Sequence, residues 1–134
     1  MQKYFSFISD DLVRSAVALS GGGGRATIGS CGAYSGGLMA LSARFSPISD
    51  ILSVKEVEEL DLARRKFNEF RDWFITEFSS VVCRDVQLKL FGRFFNFMDE
   101  QERQAFREFQ EAQDRSCRPV YTQAALKVAE ILTS

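Results

Sequence analysis

The stretch from Val54 to Ser79, VKEVEELDLARRKFNEFRDWFITEFS, decides the fold class. Its apolar residues Val57, Leu60, Ala63, Phe67, Phe70, Phe74 and Phe78 recur at steps of three and four, which lines up one face of an α-helix. The charged residues Glu56, Glu59, Arg64, Arg65, Arg71 and Asp72 form its solvated face. A half-buried strand needs alternation with a period of two, and no segment of the chain shows convincing alternation or a hairpin signal. The stretch therefore reads as one long helix, the backbone of an all-α core.

Shorter helical patterns flank it. Ser9 or Asp10 can cap a helix through Leu19, with Leu12, Ala16 and Leu19 at helical spacing, before Gly21 to Gly24 stop it. A second helix starts near Cys31 and ends near Phe45, with Pro47 beyond its end. In it Gly32 and Gly36 lie four apart, as do Ala33 and Gly37, so a face with almost no side chain is expected to pack closely against another helix. After the long helix, Cys83 to Phe91 makes a shorter one, and the cluster Phe91, Phe94, Phe95 and Phe97 is expected to fill a core. Asp99 caps a polar helix to about Asp114, anchored by Phe106 and Phe109. A last helix runs from Cys117 to Leu132, with Pro119 tolerable in its first turn and Ala124, Ala125, Val128, Ala129 and Leu132 on its apolar face. The expected architecture is a compact helical bundle of about five helices in a single domain, residues 1–134.

A chain of 134 residues can bury a core without disulfides or metal as staples. Its 46% hydrophobic and 26% charged residues are ordinary for a globular domain, and a net charge of −1 offers no footprint for nucleic acid. The longest uncharged stretch, Ala26 to Ala43, holds four glycines and several hydroxyl residues and is a poor membrane span. Met1 to Asp10 lacks the layout of a secretion signal. With three cysteines, an odd number, this points to a reducing cytoplasm and to thiols or metal ligands rather than a disulfide scaffold. The chain has no histidine, which removes the usual neutral-pH base and with it Ser-His-Asp, Cys-His and zinc-hydrolase chemistry. Gly24 to Ser30 has the glycine spacing of a phosphate-binding loop, but Ser30 stands where that loop needs lysine.

What remains is the thiols. Cys31 lies in the run Gly29-Ser30-Cys31-Gly32-Ala33-Tyr34-Ser35-Gly36-Gly37, and Cys31, Cys83 and Cys117 each stand at or near an expected helix start. There the positive end of the backbone dipole favours thiolate, so Cys31 is expected to be the most reactive thiol. A folded bundle can gather all three at one end. Each taken alone is equally well a small buried hydrophobe.

The segment Cys31-Gly32-Ala33-Tyr34-Ser35-Gly36 is preceded by Gly21 to Gly24 and followed by Leu38-Met39-Ala40-Leu41. Downstream come Phe74 to Phe78, then Cys83-Arg84-Asp85, then Cys117 with Val120 and Ala124-Ala125. In this order they resemble the C_GCAxxG_C_C family of redox-active proteins, over roughly Asp10 to Leu132. The resemblance implies redox chemistry without naming a substrate, and a looser similarity to the N-terminal module of split-Soret cytochromes suggests an iron–sulfur site. The family carries a fourth cysteine in a helix upstream of the glycines, and this sequence does not include it. A four-thiolate site would then need a non-cysteine ligand, a partner or a second copy of the chain.

The leading expectation is electron transfer through an iron–sulfur cluster or other metal held by Cys31, Cys83 and Cys117, with Gly22, Gly23, Gly24 and Gly32 as the backbone beside the cofactor. Thiolates suit such sites, and glycine amides can tune them. An alternative is a thiol–disulfide enzyme or sensor in which Cys31 attacks and Cys83 or Cys117 resolves, with Arg25, Arg84 or Arg118 stabilising charge. Another is a non-catalytic helical interaction module with a degenerate site. The expected partners are a redox protein and, in a homodimer, a second copy, with no nucleic acid and no membrane span.

Overall fold

The computed structural model describes residues 1–48 and 53–134, and among these it has six α-helices: α1 Asp10–Val17, α2 Gly32–Phe45, α3 Val54–Phe78, α4 Cys83–Phe91, α5 Glu100–Gln113 and α6 Arg118–Thr133. The overall figure of about five is one short, although each of the six is read as a segment of the sequence. Ser79 takes a left-handed φ of 69° and ends α3 before α4 begins at Cys83. Among the described residues the sole β-type pairing is one antiparallel bridge, Ser30 with Val82.

The helix starts are chemically marked. The Ser53 hydroxyl accepts from the Glu56 N–H at 3.3 Å while the Glu56 carboxylate accepts from the Ser53 N–H at 2.7 Å, a reciprocal cap that fixes where α3 begins. Ser9 caps α1 through the Leu12 N–H, and Asp99 caps α5 through the Glu102 N–H. α1 stops at Val17 rather than Leu19, because Leu19 and Ser20 already donate to Ala16 and Val17 in a tighter turn.

α2, α3 and α6 pack on one another, and α1 leans on α2. Their shared core holds Leu41, Phe70, Phe74, Phe78, Val86, Val120, Ala124, Val128 and Ile131. Phe70 and Phe74 are fully buried, with Tyr34 stacked on Phe70 and Phe78 tilted against Phe74 at 4.8 Å between ring centres. A second cluster of Cys83, Phe95 and Phe97 takes Phe91, Phe106 and Phe109 against it and so docks α5. Phe94 does not join it; the side chain is 42% exposed.

Of the glycines at four-residue spacing, Gly37 and not Gly32 or Gly36 packs closely against other helices. A Cβ at Gly37 would lie 2.5 Å from Phe70 Cζ and 3.1 Å from Val128 Cγ2, so α2 meets α3 and α6 at that position. Gly32 abuts Ser20 and Leu19, in the turn after α1, and Gly36 has nothing within 4 Å of the Cβ position. The helix-facing side of α2 therefore runs through Gly37, and Gly36 opens into an apolar cavity of about 240 Å³ between α1, α2 and α6.

Candidate redox thiol site

The site begins with the glycine loop. Gly21 to Gly24 all have positive φ, from 55° to 90°, a run that residues with a Cβ adopt only at a cost. This coil folds the chain back on itself: the Gly23, Gly24 and Arg25 N–H groups donate to Leu19, Ala18 and Ser20 carbonyls. The amides of Gly23 and Gly24 are thus spent within the loop. Gly29 then passes so close to Gly22 that a Cβ on it would clash with the Gly22 oxygen.

This crossing presents residues 29–31 to residues 81–83. The Cys31 N–H donates to the Val81 carbonyl at 2.7 Å and the Cys83 N–H donates to the Gly29 carbonyl at 2.8 Å, on either side of the Ser30–Val82 bridge. Cys31 is therefore opposite Val81, and Cys83 is opposite Gly29. The Arg84 N–H adds a bond to the Thr27 carbonyl at 3.0 Å.

Each cysteine marks a helix start: Cys31 is the N-cap of α2, Cys83 the first residue of α4 and Cys117 the N-cap of α6. The first turns of α2 and α6 border the same cavity, where Gly32 and Ala33 share its wall with Tyr121 and Ala124. Cys117 feels the charge of both Cys31 and Cys83, and Cys83 feels that of Cys31, so the fold brings the three thiols into one electrostatic neighbourhood. All three are free; Cys83 is buried and the others are half-buried.

Burial works against the expected thiolate at Cys31. Loss of water raises its pKa above the ordinary thiol value, and the Ala33 and Tyr34 N–H groups in the first turn of α2 offset this only in part. Burial also raises Cys83, against a hydrogen bond from Gln87. Cys117 is pushed up to about 12, by burial first and by the charges of Cys31 and Cys83 after it. The thiols are protonated at neutral pH, and reaction requires a proton to leave.

Among the described residues no group of three or more Cys, His, Asp or Glu side chains is placed to hold a metal ion. Cys31, Cys83 and Cys117 supply three thiols, one short of the four that close a cluster site.

Two residues of the site were not anticipated. Thr27 and Gln87 are each 1% exposed, buried polar side chains that bond the backbone between α4 and α5. Thr27 Oγ1 accepts from the Phe97 N–H at 2.7 Å and Gln87 Oε1 from the Phe95 N–H at 2.8 Å. Thr27 also holds a positive φ of 68°, unusual for a β-branched residue. Nothing in spacing distinguishes a buried Gln on a short helix from a surface one; for Thr27 the signal was its place among glycines that cross.

A family model described as "Putative redox-active protein (C_GCAxxG_C_C)" matches residues 1–131. The chain belongs to this family. The chain has three cysteines, Cys31, Cys83 and Cys117, and residues 1–30 contain none. No curated protein and no solved structure matches the chain. No helix among the described residues is long and apolar enough to cross a membrane.

Proposed function

We propose that this redox-active family member works by thiol–disulfide exchange, with Cys31 as the attacking thiol and Cys83 as the resolving one. The observation that supports the reading is the backbone pairing of residues 29–31 with 81–83, which holds Cys31 and Cys83 at one crossing of the chain. A disulfide spans Cα separations of roughly 4.4–6.8 Å, and the exchange requires the pair to close to that distance. Cys31 is the more exposed of the two, and the Ala33 and Tyr34 N–H groups beside it favour its thiolate.

The electron balance is that of exchange. The Cys31 thiolate attacks one sulfur of a partner disulfide, forms a mixed disulfide and releases the other partner sulfur as thiolate. The Cys83 thiolate then attacks the Cys31 sulfur and releases the second partner sulfur. The partner gains two electrons and the two protons the cysteines gave up, and this chain retains a Cys31–Cys83 bond. Cys117, with the highest pKa, stays a thiol.

The test is oxidation of the reduced protein by glutathione disulfide with peptide mapping. The reading expects a Cys31–Cys83 crosslink, and Cys83→Ser is expected to accumulate glutathione on Cys31. Absence of exchange at both cysteines in folded protein would overturn it. So would stoichiometric iron and sulfide in protein purified without oxygen, which would favour the cluster reading instead.

A further inference from the structure

Arg25, Arg103 and Arg107 border one open pocket of about 590 Å³ together with Gly24, Phe97 and Met98, and no carboxylate lines it. Phe97 fixes two of these cations. The Arg25 guanidinium carbon lies 5.3 Å from the centre of the Phe97 ring, and Arg103 Nη1 donates to the Phe97 carbonyl at 2.8 Å. Phe97 is itself held, since the residue is buried and its N–H donates to Thr27. Arg107 follows Arg103 by one turn of α5, with Nε and Nη2 donating to the Gln104 amide oxygen. Directly after the glycine coil, Arg25 keeps a left-handed φ of 61°, which a residue with a long side chain seldom adopts.

Among the described residues none of the three guanidinium groups pairs with a carboxylate. Nearby acids are engaged elsewhere: Asp99 accepts from the Glu102 N–H, Glu102 pairs with Arg93, and Glu108 accepts from Gln104. Three like charges around one pocket repel one another, and an anion placed among them relieves that repulsion. Donors are left for it. Arg103 retains Nε and Nη2, Arg107 retains Nη1, and Arg25 makes no hydrogen bond among the described residues. A carboxylate offers two oxygens, whereas a phosphoryl group offers three terminal oxygens and up to two charges, which suits forks supplied by both the glycine coil and α5. We infer that this pocket binds the phosphoryl group of a small phosphorylated molecule, with Arg25, Arg103 and Arg107 holding its oxygens. The pocket includes none of Cys31, Cys83 and Cys117, so the site does not depend on thiol exchange.

The experiment titrates the reduced, ¹⁵N-labelled full chain with inorganic phosphate, with pyrophosphate and, as the carboxylate counterpart, with succinate, reading backbone amide shifts by NMR at constant ionic strength. Phosphate and pyrophosphate are expected to give saturating shifts centred on Gly24, Arg25, Phe97 and Met98, and succinate to bind more weakly than either. Arg25→Asn keeps a residue that tolerates the left-handed backbone, and Arg107→Gln changes an exposed position of α5. Each should weaken phosphate binding by about tenfold or more, the loss of a hydrogen bond between charged groups. Arg65→Gln on α3 removes the same charge at a position that does not border the pocket and should leave the affinity within about twofold. Shifts that rise without saturating, succinate binding as tightly as phosphate, or equal weakening in Arg65→Gln would show diffuse attraction of anions and overturn the inference. Unchanged affinity in folded Arg25→Asn and Arg107→Gln would overturn it too. Should neither variant fold, the wild-type titrations decide it, because saturating shifts centred away from Gly24, Arg25, Phe97 and Met98 also exclude this pocket.

Discussion

Around Phe70 and Phe74 the interior is apolar throughout and is held by three helices whose faces interlock at Gly37. Around Phe95 and Phe97 the same residue type is held by two buried polar side chains, Gln87 and Thr27, bonded to the backbone of a segment that is not helical. The contrast follows from where the N–H groups go. Helical segments satisfy their own donors, whereas the connection between α4 and α5 would bury unpaired ones without side-chain acceptors. Cys31 packs against the first cluster and Cys83 belongs to the second. A bond between them would therefore staple two cores built in different ways, so oxidation state is expected to govern how firmly the second is held to the first.

The largest expected effect lies in the first cluster. Phe74→Ala removes a fully buried ring that contacts Tyr34, Phe70, Trp73 and Phe78, and a loss of about 3–5 kcal/mol is expected in denaturant unfolding. A loss below about 1 kcal/mol would mean that this core is not the one that governs global stability.

Thr27→Val tests the second cluster with almost no change of shape. It leaves the Phe97 N–H without its acceptor, at an expected cost of about 1–3 kcal/mol. Amide hydrogen exchange should quicken at Phe97 while amides of α3 keep their protection. Equal loss of protection in both regions would show one cooperative unit and erase the distinction drawn between them.

The same contrast explains how much could be read from the chain. Val57 to Phe78 announced α3 because an amphipathic helix writes its buried face as a period, and Ser9 and Asp99 announced two starts through caps confined to four residues, whereas the Ser53–Glu56 cap went unread. Thr27 to Phe97 is a single hydrogen bond across a sequence separation of 70, and no local pattern encodes it. The cysteines were legible as a set because each sits at a helix start, yet their protonation was not, since burial outweighs the helix-start effect and depends on tertiary packing. Gly37 was in view only as the partner of Ala33 in spacing; which side of α2 meets Phe70 is decided by how α3 and α6 sit.

Cys117 gives a pH signature of about 1 kcal/mol. Its folded pKa of about 12 lies above the ordinary thiol value of 9.0, so the folded state holds the proton where the unfolded chain has begun to lose it. The resulting stabilisation is complete below the unfolded value and is lost as pH rises through the window between the two. One pH unit above the unfolded value, the advantage of wild type over Cys117→Ala should shrink by about 1.4 kcal/mol at most. A difference that stays constant or grows across that rise would mean that Cys117 is not held neutral by burial.

The smallest effect carries a change of sign along one helix. Gly36 and Gly37 are adjacent in α2, and both pay the helix cost of glycine, about 0.5–1 kcal/mol relative to alanine. At Gly36 nothing lies within 4 Å of an added methyl, which would enter the mouth of the apolar cavity. Gly36→Ala should therefore stabilise the protein by up to about 1 kcal/mol. At Gly37 the same methyl meets the Phe70 ring at 2.5 Å, and that ring is completely buried with Trp73 and Phe74 against it, so it has little room to retreat. Gly37→Ala should lose stability despite gaining helix propensity. Opposite shifts of the denaturation midpoint for two neighbouring Gly→Ala variants locate the interlocking face at Gly37. Shifts of the same sign would place the contact of α2 with α3 and α6 elsewhere on the helix.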